Sequence, residues 1–169
     1  MGERMAALFR TLTSGVYVIG AAHKDRISAL TAAWVMQLSF DPPMLGFSVN
    51  PDSFSYPLIK AGKVFSVNVL AQGSLDMARH LGTHSTRDMD KLEDIRWRPR
   101  TTGAPVLEDA LAYFDCRLQF TRRTGDHVLI TGEVIDGAIL KPRATPMTYA
   151  QTGDLDGASG MYPARFRSK

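Results

Sequence analysis

The sequence has 169 residues, of which 44% are hydrophobic and 22% are charged, a composition typical of a globular protein long enough to bury one core. The formal net charge of +3 is mild, and no basic run is interleaved with aromatic residues, so we do not expect a nucleic-acid partner. The single cysteine, Cys116, excludes an internal disulfide and fits a reducing compartment.

The N-terminus predicts a helix and not a targeting segment. Residues 1–12 lack a long apolar run, so we expect no signal peptide, and no apolar stretch elsewhere is long enough to cross a membrane. Apolar residues recur at helical spacing, which predicts an amphipathic helix over about residues 3–13. Residues 16–21 then predict a strand, followed by a polar turn at 23–26. We expect one cytoplasmic domain over residues 1–169.

Three short apolar runs follow, at residues 27–35, 44–49 and 64–70, and Pro, Asn, Asp and Gly separate them. Runs of this length with such boundaries predict strands. In the last two runs, large apolar residues alternate with small or polar ones: Gly46, Ser48, Asn50, Ser66 and Asn68. Buried polar groups need partners, so a small polar strand face suits a flat ligand rich in hydrogen-bonding atoms.

The second half of the chain predicts one helix and a β-hairpin. Ser74 can cap a helix that ends near Leu81. We expect a long irregular loop over 83–104. The alternating segments 112–120 and 127–135, joined by a Gly-Asp turn, predict paired strands, with Ala112, Phe114, Cys116, Leu118 and Phe120 on the buried face. Strands dominate, which predicts a mainly β (α+β) fold, an antiparallel Greek-key-like barrel with a few short helices.

Several segments, in order, carry a family resemblance. They are LTAAWVMQLSFDPPMLGFSVN, FSYPLIKAGKVFSVNVLA, TGAPVLEDALAYFDCRL (102–118) and GDHVLITGEV (125–134). Together they resemble the flavin-reductase-like family, whose members bind FMN in a split β-barrel. The resemblance covers about residues 9–149. The tail 150–169 departs from the family pattern, and Tyr162 or Phe166 are the aromatic residues that could replace the family's tail contact.

The resemblance implies a set of flavin contacts. Thr31, Ala32, Ala33, Trp34, Ser48, Val49 and Asn50 look like the family's ring and ribityl contacts, many of them made by backbone atoms. Ser53 and Tyr56 lie at the start of a predicted helix 54–61, whose N-terminus favours a phosphate. Asn68 belongs to the VNVL motif, and Lys91 resembles a family lysine that can reach a phosphate.

Each of these residues also has a structural interpretation. Ser53 can simply cap its helix, and Tyr56 can pack on the surface. Trp34 can be a core aromatic residue, Asn68 a satisfied core amide, and Lys91 a solvated loop charge.

One further motif concerns the electron donor. Gly125-Asp126-His127 matches a motif of many family members, in which the histidine lies near the nicotinamide nucleotide. The alternative is an ordinary hairpin turn. His80 and His84 have the spacing of helical metal ligands, but no cysteine cluster or adjacent glutamate supports a metal, and no GxSxG motif supports a hydrolytic triad.

The resemblance implies an FMN-dependent NAD(P)H:flavin oxidoreductase, with FAD or riboflavin as alternative flavins. The flavin carries the redox chemistry, so no catalytic side chain is required. Family members usually form homodimers, and their reduced flavin often feeds a separate monooxygenase. Two alternatives remain open: a non-catalytic flavin-binding or storage protein, and a split barrel that binds haem or another planar ligand.

Overall fold

The computed structural model describes residues 2–84 and 90–163, with side chains from Arg4 onward. Seven strands form one sheet in the order β2-β1-β5-β8-β9-β4-β3, and all neighbouring pairs are antiparallel. These strands are β1 (Tyr17–His23), β2 (Arg26–Ala32), β3 (Val35–Phe40), β4 (Pro43–Val49), β5 (Val64–Val69), β8 (Ala112–Thr124) and β9 (His127–Ile139). A separate short hairpin consists of β6 (Trp97–Pro99) and β7 (Pro105–Leu107). The helices are α1 (Gly2–Phe9), α2 (Ser55–Gly62), α3 (Leu75–Thr83) and α4 (Ala158–Met161).

The two edges of the large sheet meet at one junction. β2 and β3 are the outermost strands, although only Ala33 and Trp34 separate them in the chain. The amide of Ser48, on β4, donates a hydrogen bond to the carbonyl oxygen of Trp34 at 3.1 Å. β2 also approaches β4 directly, so the sheet is rolled into a barrel that is split beside this junction. This architecture confirms the predicted mainly β barrel.

The junction also corrects one sequence prediction. The apolar run 27–35 was expected to form one strand, but β2 ends at Ala32 and β3 begins at Val35. Val35 packs into the barrel interior, whereas Met36 on the next position is 54% exposed. The other large apolar residues of β3, Met36, Leu38 and Phe40, are exposed. The alternation of apolar and polar residues that marks a half-buried strand was therefore not visible in the sequence.

The long hairpin β8–β9 is present as predicted and extends farther at both ends. Gly125, with φ of 66°, and Asp126 form its two-residue turn. Phe120 was expected on the buried face, but its side chain is 53% exposed. The pairing shifts by one residue between Leu118 and Phe120, which sends Phe120 to the outer face beside Thr131.

The barrel interior holds the main hydrophobic core. The rings of Phe47 and Phe65 meet edge to face with centroids 5.2 Å apart. Leu58 and Ile59 of α2 close one end of this core. Cys116 also lies inside, with no exposed surface, and burial raises the pKa of its thiol to about 12.

The outer side of β1 and β5 is covered by α3 and by the β6–β7 hairpin. This cover explains the polar face of β5, which was predicted to suit a ligand. Ser66 donates to the carbonyl oxygen of Pro105, and Asn68 binds the backbone on both sides. β6 lies inside the segment 83–104 that was expected to be irregular, of which residues 85–89 are outside the described ranges.

The helices differ in detail from the predictions. α1 ends at Phe9 and is shorter than expected, and α2 lies where it was predicted. α3 follows Ser74, but the Ser74 side chain makes no capping hydrogen bond. None of the helices in the described ranges is long and apolar enough to pass through a bilayer.

Candidate functional site

The junction between β2 and β3 exposes an indole ring. Trp34 is 53% exposed, so the interpretation of this residue as a core aromatic does not describe its position. Its ring lies against the imidazole of His127, with centroids 5.0 Å apart and planes at 47°. The structure therefore brings together the predicted flavin-ring segment and the residue predicted to contact the nicotinamide nucleotide.

His127 is held by its neighbour as well as by Trp34. Its Nδ1 is 2.8 Å from Oδ1 of Asp126, and the two residues occupy the hairpin turn and the first position of β9. This hydrogen bond lowers the pKa of the Asp126 carboxyl. With Nδ1 engaged in this way, Nε2 is the ring nitrogen that can face a ligand.

The end of β4 leads from the junction to α2. Ser48 binds Trp34 through its amide, while the Val49 side chain is buried inside the barrel, so only its backbone can meet a ligand. The Asn50 carbonyl accepts from the amide of Ser53 at 3.0 Å, and the Asn50 side chain accepts from the amide of Asp52 at 2.9 Å. These bonds form a compact turn that delivers the chain to the start of α2.

Ser53 and Tyr56 lie at the N-terminus of α2. Ser53 Oγ accepts a hydrogen bond from the amide of Tyr56 at 3.3 Å, so Ser53 has the capping role that the sequence allowed. The Tyr56 ring packs partly against the barrel core, with the Lys60 ammonium 5.4 Å from its centroid. A helix N-terminus presents N–H groups and a positive partial charge, which suit a phosphate.

The distance between the two predicted flavin segments can be estimated from strand geometry. Ser28 Oγ and Ser55 Oγ are 2.8 Å apart, which fixes the start of α2 beside the first half of β2. Ala33 is five positions beyond Ser28, about 17 Å at the ~3.3 Å rise of a strand. This separation fits an elongated ligand whose flat ring lies at the junction and whose phosphate lies at α2.

Asn68 and Lys91 lie away from this path. Asn68 is fully buried, donating to the Val18 carbonyl at 3.0 Å and accepting from the Leu107 amide at 2.8 Å. Lys91 is 4% exposed, and its ammonium donates to the Leu81 carbonyl at 2.8 Å, near the end of α3. Burial lowers the pKa of Lys91 to about 8. Because these polar groups already serve the core, we leave both residues out of the proposed flavin site.

A small cavity of about 100 Å³ lies on the outer side of the segment 31–33. The Thr31 side chain is oriented to this side and donates to the Ala78 carbonyl of α3 at 2.8 Å. The opposite wall consists of residues from the C-terminal segment, including Tyr149 and Asp156. The Tyr149 hydroxyl donates to Asp156 at 2.5 Å, and burial, followed by this hydrogen bond, raises the pKa of Tyr149 to about 12.

No pattern in the sequence predicted that Tyr149 and Asp156 line this cavity. The segment after Pro142 has no apolar period, because backbone hydrogen bonds to other segments hold it in place. The Tyr149 amide donates to the Ser14 carbonyl at 2.8 Å, and Met147 is bonded to both Val16 and Leu70. Tyr162 stacks on Phe9 with ring centroids 6.2 Å apart, and Phe166 lies outside the described residues.

Metal ligation finds no support in the described ranges, 2–84 and 90–163, where no group of three His, Cys, Asp or Glu side chains converges. The His80 and His84 rings are near each other, with centroids 5.4 Å apart. However, His80 Nε2 is 3.0 Å from the Lys91 carbonyl oxygen, and His84 Nδ1 is 3.0 Å from the His80 carbonyl oxygen. Both histidines therefore have structural roles at the end of α3.

The architecture and the site agree with a comparison to protein families. Residues 9–157 match the flavin reductase like domain. The chain belongs to the flavin reductase like family. The match includes the β2–β3 junction, α2, the β8–β9 hairpin and most of the cavity wall formed by the C-terminal segment, so the family assignment extends through every part of the site described above.

Named members of the family resemble the chain in sequence and structure. It is 33% identical over 147 residues to the reductase subunit HsaB of a flavin-dependent monooxygenase from Mycobacterium tuberculosis, covering 85% of this chain and 75% of that protein. The NADH:FAD oxidoreductase SgcE6 of Streptomyces globisporus superposes with a TM-score of 0.80 at 26% identity, covering 86% and 87% of the two chains. An FMN-binding protein from Thermus thermophilus superposes with a TM-score of 0.72 at 31% identity, covering 78% and 73%.

Other curated relatives, 34–37% identical, are longer proteins, and this chain spans 23–62% of their length. The shared segment is thus a unit that family members use in proteins of different size. The site residues described above lie within residues 9–157, which match the family model.

Proposed function

We propose that this protein is an NAD(P)H:flavin oxidoreductase that uses FMN. The observation that carries the proposal is the contact between Trp34 and His127. This contact brings the segment predicted to bind the flavin ring next to the residue predicted to bind the nicotinamide nucleotide. When bound, the flavin supplies the redox chemistry by accepting a hydride from the reduced nicotinamide. FAD and riboflavin are the alternative flavins. The chain supplies binding, orientation and exclusion of water.

In this proposal the flavin ring lies along the segment 31–34, and the backbone of Ser48 and Asn50 faces the sugar chain. The small side chains of Ala32 and Ala33 let the ring approach the backbone closely. The start of α2, from Ser53 to Tyr56, holds the phosphate through backbone N–H groups and hydroxyls. FMN fits this arrangement because its single phosphate is at the end of an extended chain.

The nicotinamide nucleotide binds beside His127 in this proposal. Asp126 orients the imidazole through Nδ1, and Nε2 faces the amide or the phosphate of the nucleotide. Trp34 supports the other side of the imidazole and offers an aromatic surface at the entrance. None of these groups is required to transfer a proton during hydride transfer.

We further propose that the protein is a homodimer, formed through one exposed sheet surface. Met36, Gly46, Thr131 and Phe120 are paired in a row across β3, β4, β9 and β8. Leu38 lies over Gly46, where any Cβ would be 2.6 Å from its Cδ1. We call Met36, Leu38 and Phe120 the outer apolar face. These three side chains are each 41–54% exposed, and an apolar surface of this kind suits a second copy.

The reduced flavin would then serve a flavin-dependent monooxygenase, by analogy with the HsaB relative. A reductase that passes its flavin to a separate oxygenase needs a site from which the flavin can leave. The contacts proposed here are mostly backbone groups and small side chains, which favour exchange over permanent retention. We place the reaction in the cytoplasm, where a lone thiol such as Cys116 remains reduced.

The proposal is tested by mixing the purified protein with NADH or NADPH and FMN and following absorbance near about 340 nm, where the reduced nicotinamide absorbs. We expect turnover that depends on both the protein and FMN. FMN binding without turnover would instead support the flavin-storage alternative. A red-brown protein that does not bind FMN would support the haem alternative.

A further inference from the structure

The C-terminal segment forms one wall of the cavity beside the segment 31–33. Tyr149, Thr152, Leu155 and Asp156 line it from this side. We call residues 149–162 the C-terminal strap. The strap begins where the backbone stops pairing with the barrel, because the last such bond is made by the Tyr149 amide to the Ser14 carbonyl.

The strap leaves too little room for a flavin ring. The cavity holds about 100 Å³, whereas pockets for drug-sized ligands usually hold about 300–1,000 Å³. The barrel wall of the cavity is fixed by strand pairing, and the Thr31 hydroxyl is bonded to α3. Residues 149–162 belong to no strand, so a ligand that uses this side of the junction requires the strap to move.

Two glycines border the part of the strap that would move. Gly153 has φ of 65° and ψ of −123°, and Gly157 has φ of 62°. Both conformations favour glycine, and a Cβ at either position would meet nothing within 4 Å. These residues border the part of the strap that carries Asp154, Leu155 and Asp156, and movement of this part would break the hydrogen bond between Tyr149 and Asp156.

The strap is fastened to the N-terminal helix at its far end. The guanidinium of Arg10, directly after α1, donates to the carboxylate of Asp154. The same carboxylate accepts from Ser159 Oγ at 3.0 Å, and the Tyr162 ring stacks on Phe9. The Arg10 and Asp154 side chains are 31% and 47% exposed. An ion pair so open to solvent contributes only modestly, so it can break and re-form readily.

We propose that the C-terminal strap opens and closes over the cavity and that the Arg10–Asp154 ion pair holds it closed. The inference rests on the proposed function, because the ligand whose passage it controls is the flavin ring. The open form admits or releases the flavin, and the closed form covers the outer side of the segment 31–33. Tyr149 remains with the barrel as the fixed end of the strap.

This device has a kinetic signature. When a ligand enters and leaves through a minor open form, a weaker latch raises the population of that form. Association and dissociation then become faster together, and the dissociation constant changes less than either rate. A residue that merely contacts the flavin would instead change dissociation and affinity together.

The test reverses the ion pair. Arg10→Asp and Asp154→Arg each replace an attraction by a repulsion, and the double variant restores a pair of opposite charges. Exchange of FMN is followed by stopped-flow fluorescence, with each variant also melted thermally. Arg98 and Glu108 form a comparable surface ion pair on the β6–β7 side, and its reversal is the matched control. Arg10→Gln and Asp154→Asn replace any reversed variant that fails to fold.

Each single variant should speed both association and dissociation by roughly three- to tenfold, the scale of one partly exposed ion pair and its reversal. The double variant should return to the original rates, and the control should not differ from them. Unchanged rates in the single variants, or a double variant that stays fast, would overturn the latch. A protein that never binds FMN would overturn the proposed function itself, whereas normal turnover with unchanged exchange would overturn the strap alone.

Discussion

The imidazole ring of His127 packs against the indole ring of Trp34, beside the junction between β2 and β3. The two residues are 93 positions apart in the chain, since 127 minus 34 is 93. They come together because β9 pairs with β4, and Ser48 on β4 binds the Trp34 carbonyl. This contact gives separate expectations for flavin binding and for donor binding.

Trp34→Ala should weaken the binding of FMN. An aromatic contact contributes about 0.5–1.5 kcal/mol beyond simple burial, so the dissociation constant should rise roughly two- to tenfold. Trp34→Phe should retain most of the affinity, because it keeps a ring at the same place. Fluorescence titration measures the dissociation constant of FMN for both variants. Equal losses in the two variants would indicate a role for the indole N–H in place of stacking.

His127→Ala should raise the KM for NADH and leave the affinity for FMN nearly unchanged. Loss of one charge-assisted hydrogen bond costs about 1–3 kcal/mol, which corresponds to a roughly five- to hundredfold increase in KM. A contact made equally to bound donor and transition state leaves kcat alone. Steady-state kinetics with His23→Ala, on the far β1–β2 turn, is the control. A variant that loses FMN but keeps its KM would assign His127 to the flavin.

Ser53→Asp should lower the affinity for FMN far more than the affinity for riboflavin. Aspartate is a good helix N-cap, so α2 should remain folded while a carboxylate meets the proposed phosphate. At about 4 Å, two like charges repel by about 1–4 kcal/mol near a protein surface, or roughly tenfold or more in affinity. Ser74→Asp, at the start of α3, carries the same change away from the site. A similar loss for both ligands would point to damage of the fold.

Met36→Glu or Phe120→Glu should convert the proposed dimer to a monomer. Each places a charge in the outer apolar face, where an isologous interface would bury it twice. Sedimentation at micromolar concentrations is the measurement. Leu12→Glu, at another exposed apolar position, should leave the assembly intact. An unsubstituted protein that is already monomeric would refute the dimer.

Lys91→Met should stabilise the protein at pH 7 and lose this advantage at high pH. Burial lowers the pKa of Lys91 from 10.5 to about 8. Between these values the unfolded chain binds more protons, so the free energy of unfolding rises with pH, by on the order of 3 kcal/mol for the full shift. Below pH 8 the folded state carries the whole cost of the buried charge. Chemical denaturation at pH 7 and at pH 10 measures the difference, and a gain independent of pH would contradict it.

The sequence predicted those parts of the fold in which period and turn chemistry agree. The β8–β9 hairpin has strict alternation on both sides of Gly125-Asp126, and α2 follows a Pro-Asp-Ser boundary. The sequence could not predict β3, because Met36 and Leu38 of this strand are exposed on the outer apolar face. Nor could it predict that the polar side of β5 is covered, because Asn68 finds its partners on β1 and on the remote β7.

The candidate site shows the same limit. Local motifs identified Trp34 and His127 separately, and only the pairing of β4 with β9 brings them into contact. The sequence did not predict the roles of Tyr149 and Asp156, because the C-terminal segment has no repeating apolar face. Backbone hydrogen bonds and the ion pair between Arg10 and Asp154 hold this segment in place. Contacts of this kind depend on the path of the chain.

The concealed thiol of Cys116 has a practical consequence. A sulfur with no exposed surface and a pKa of about 12 remains protonated and out of reach of alkylating reagents at neutral pH. Any cysteine introduced at the surface would therefore be the one that reacts, without prior removal of the native residue. Dyes or spin labels attached at chosen positions on α1 and α4 could then report distances in the unaltered barrel.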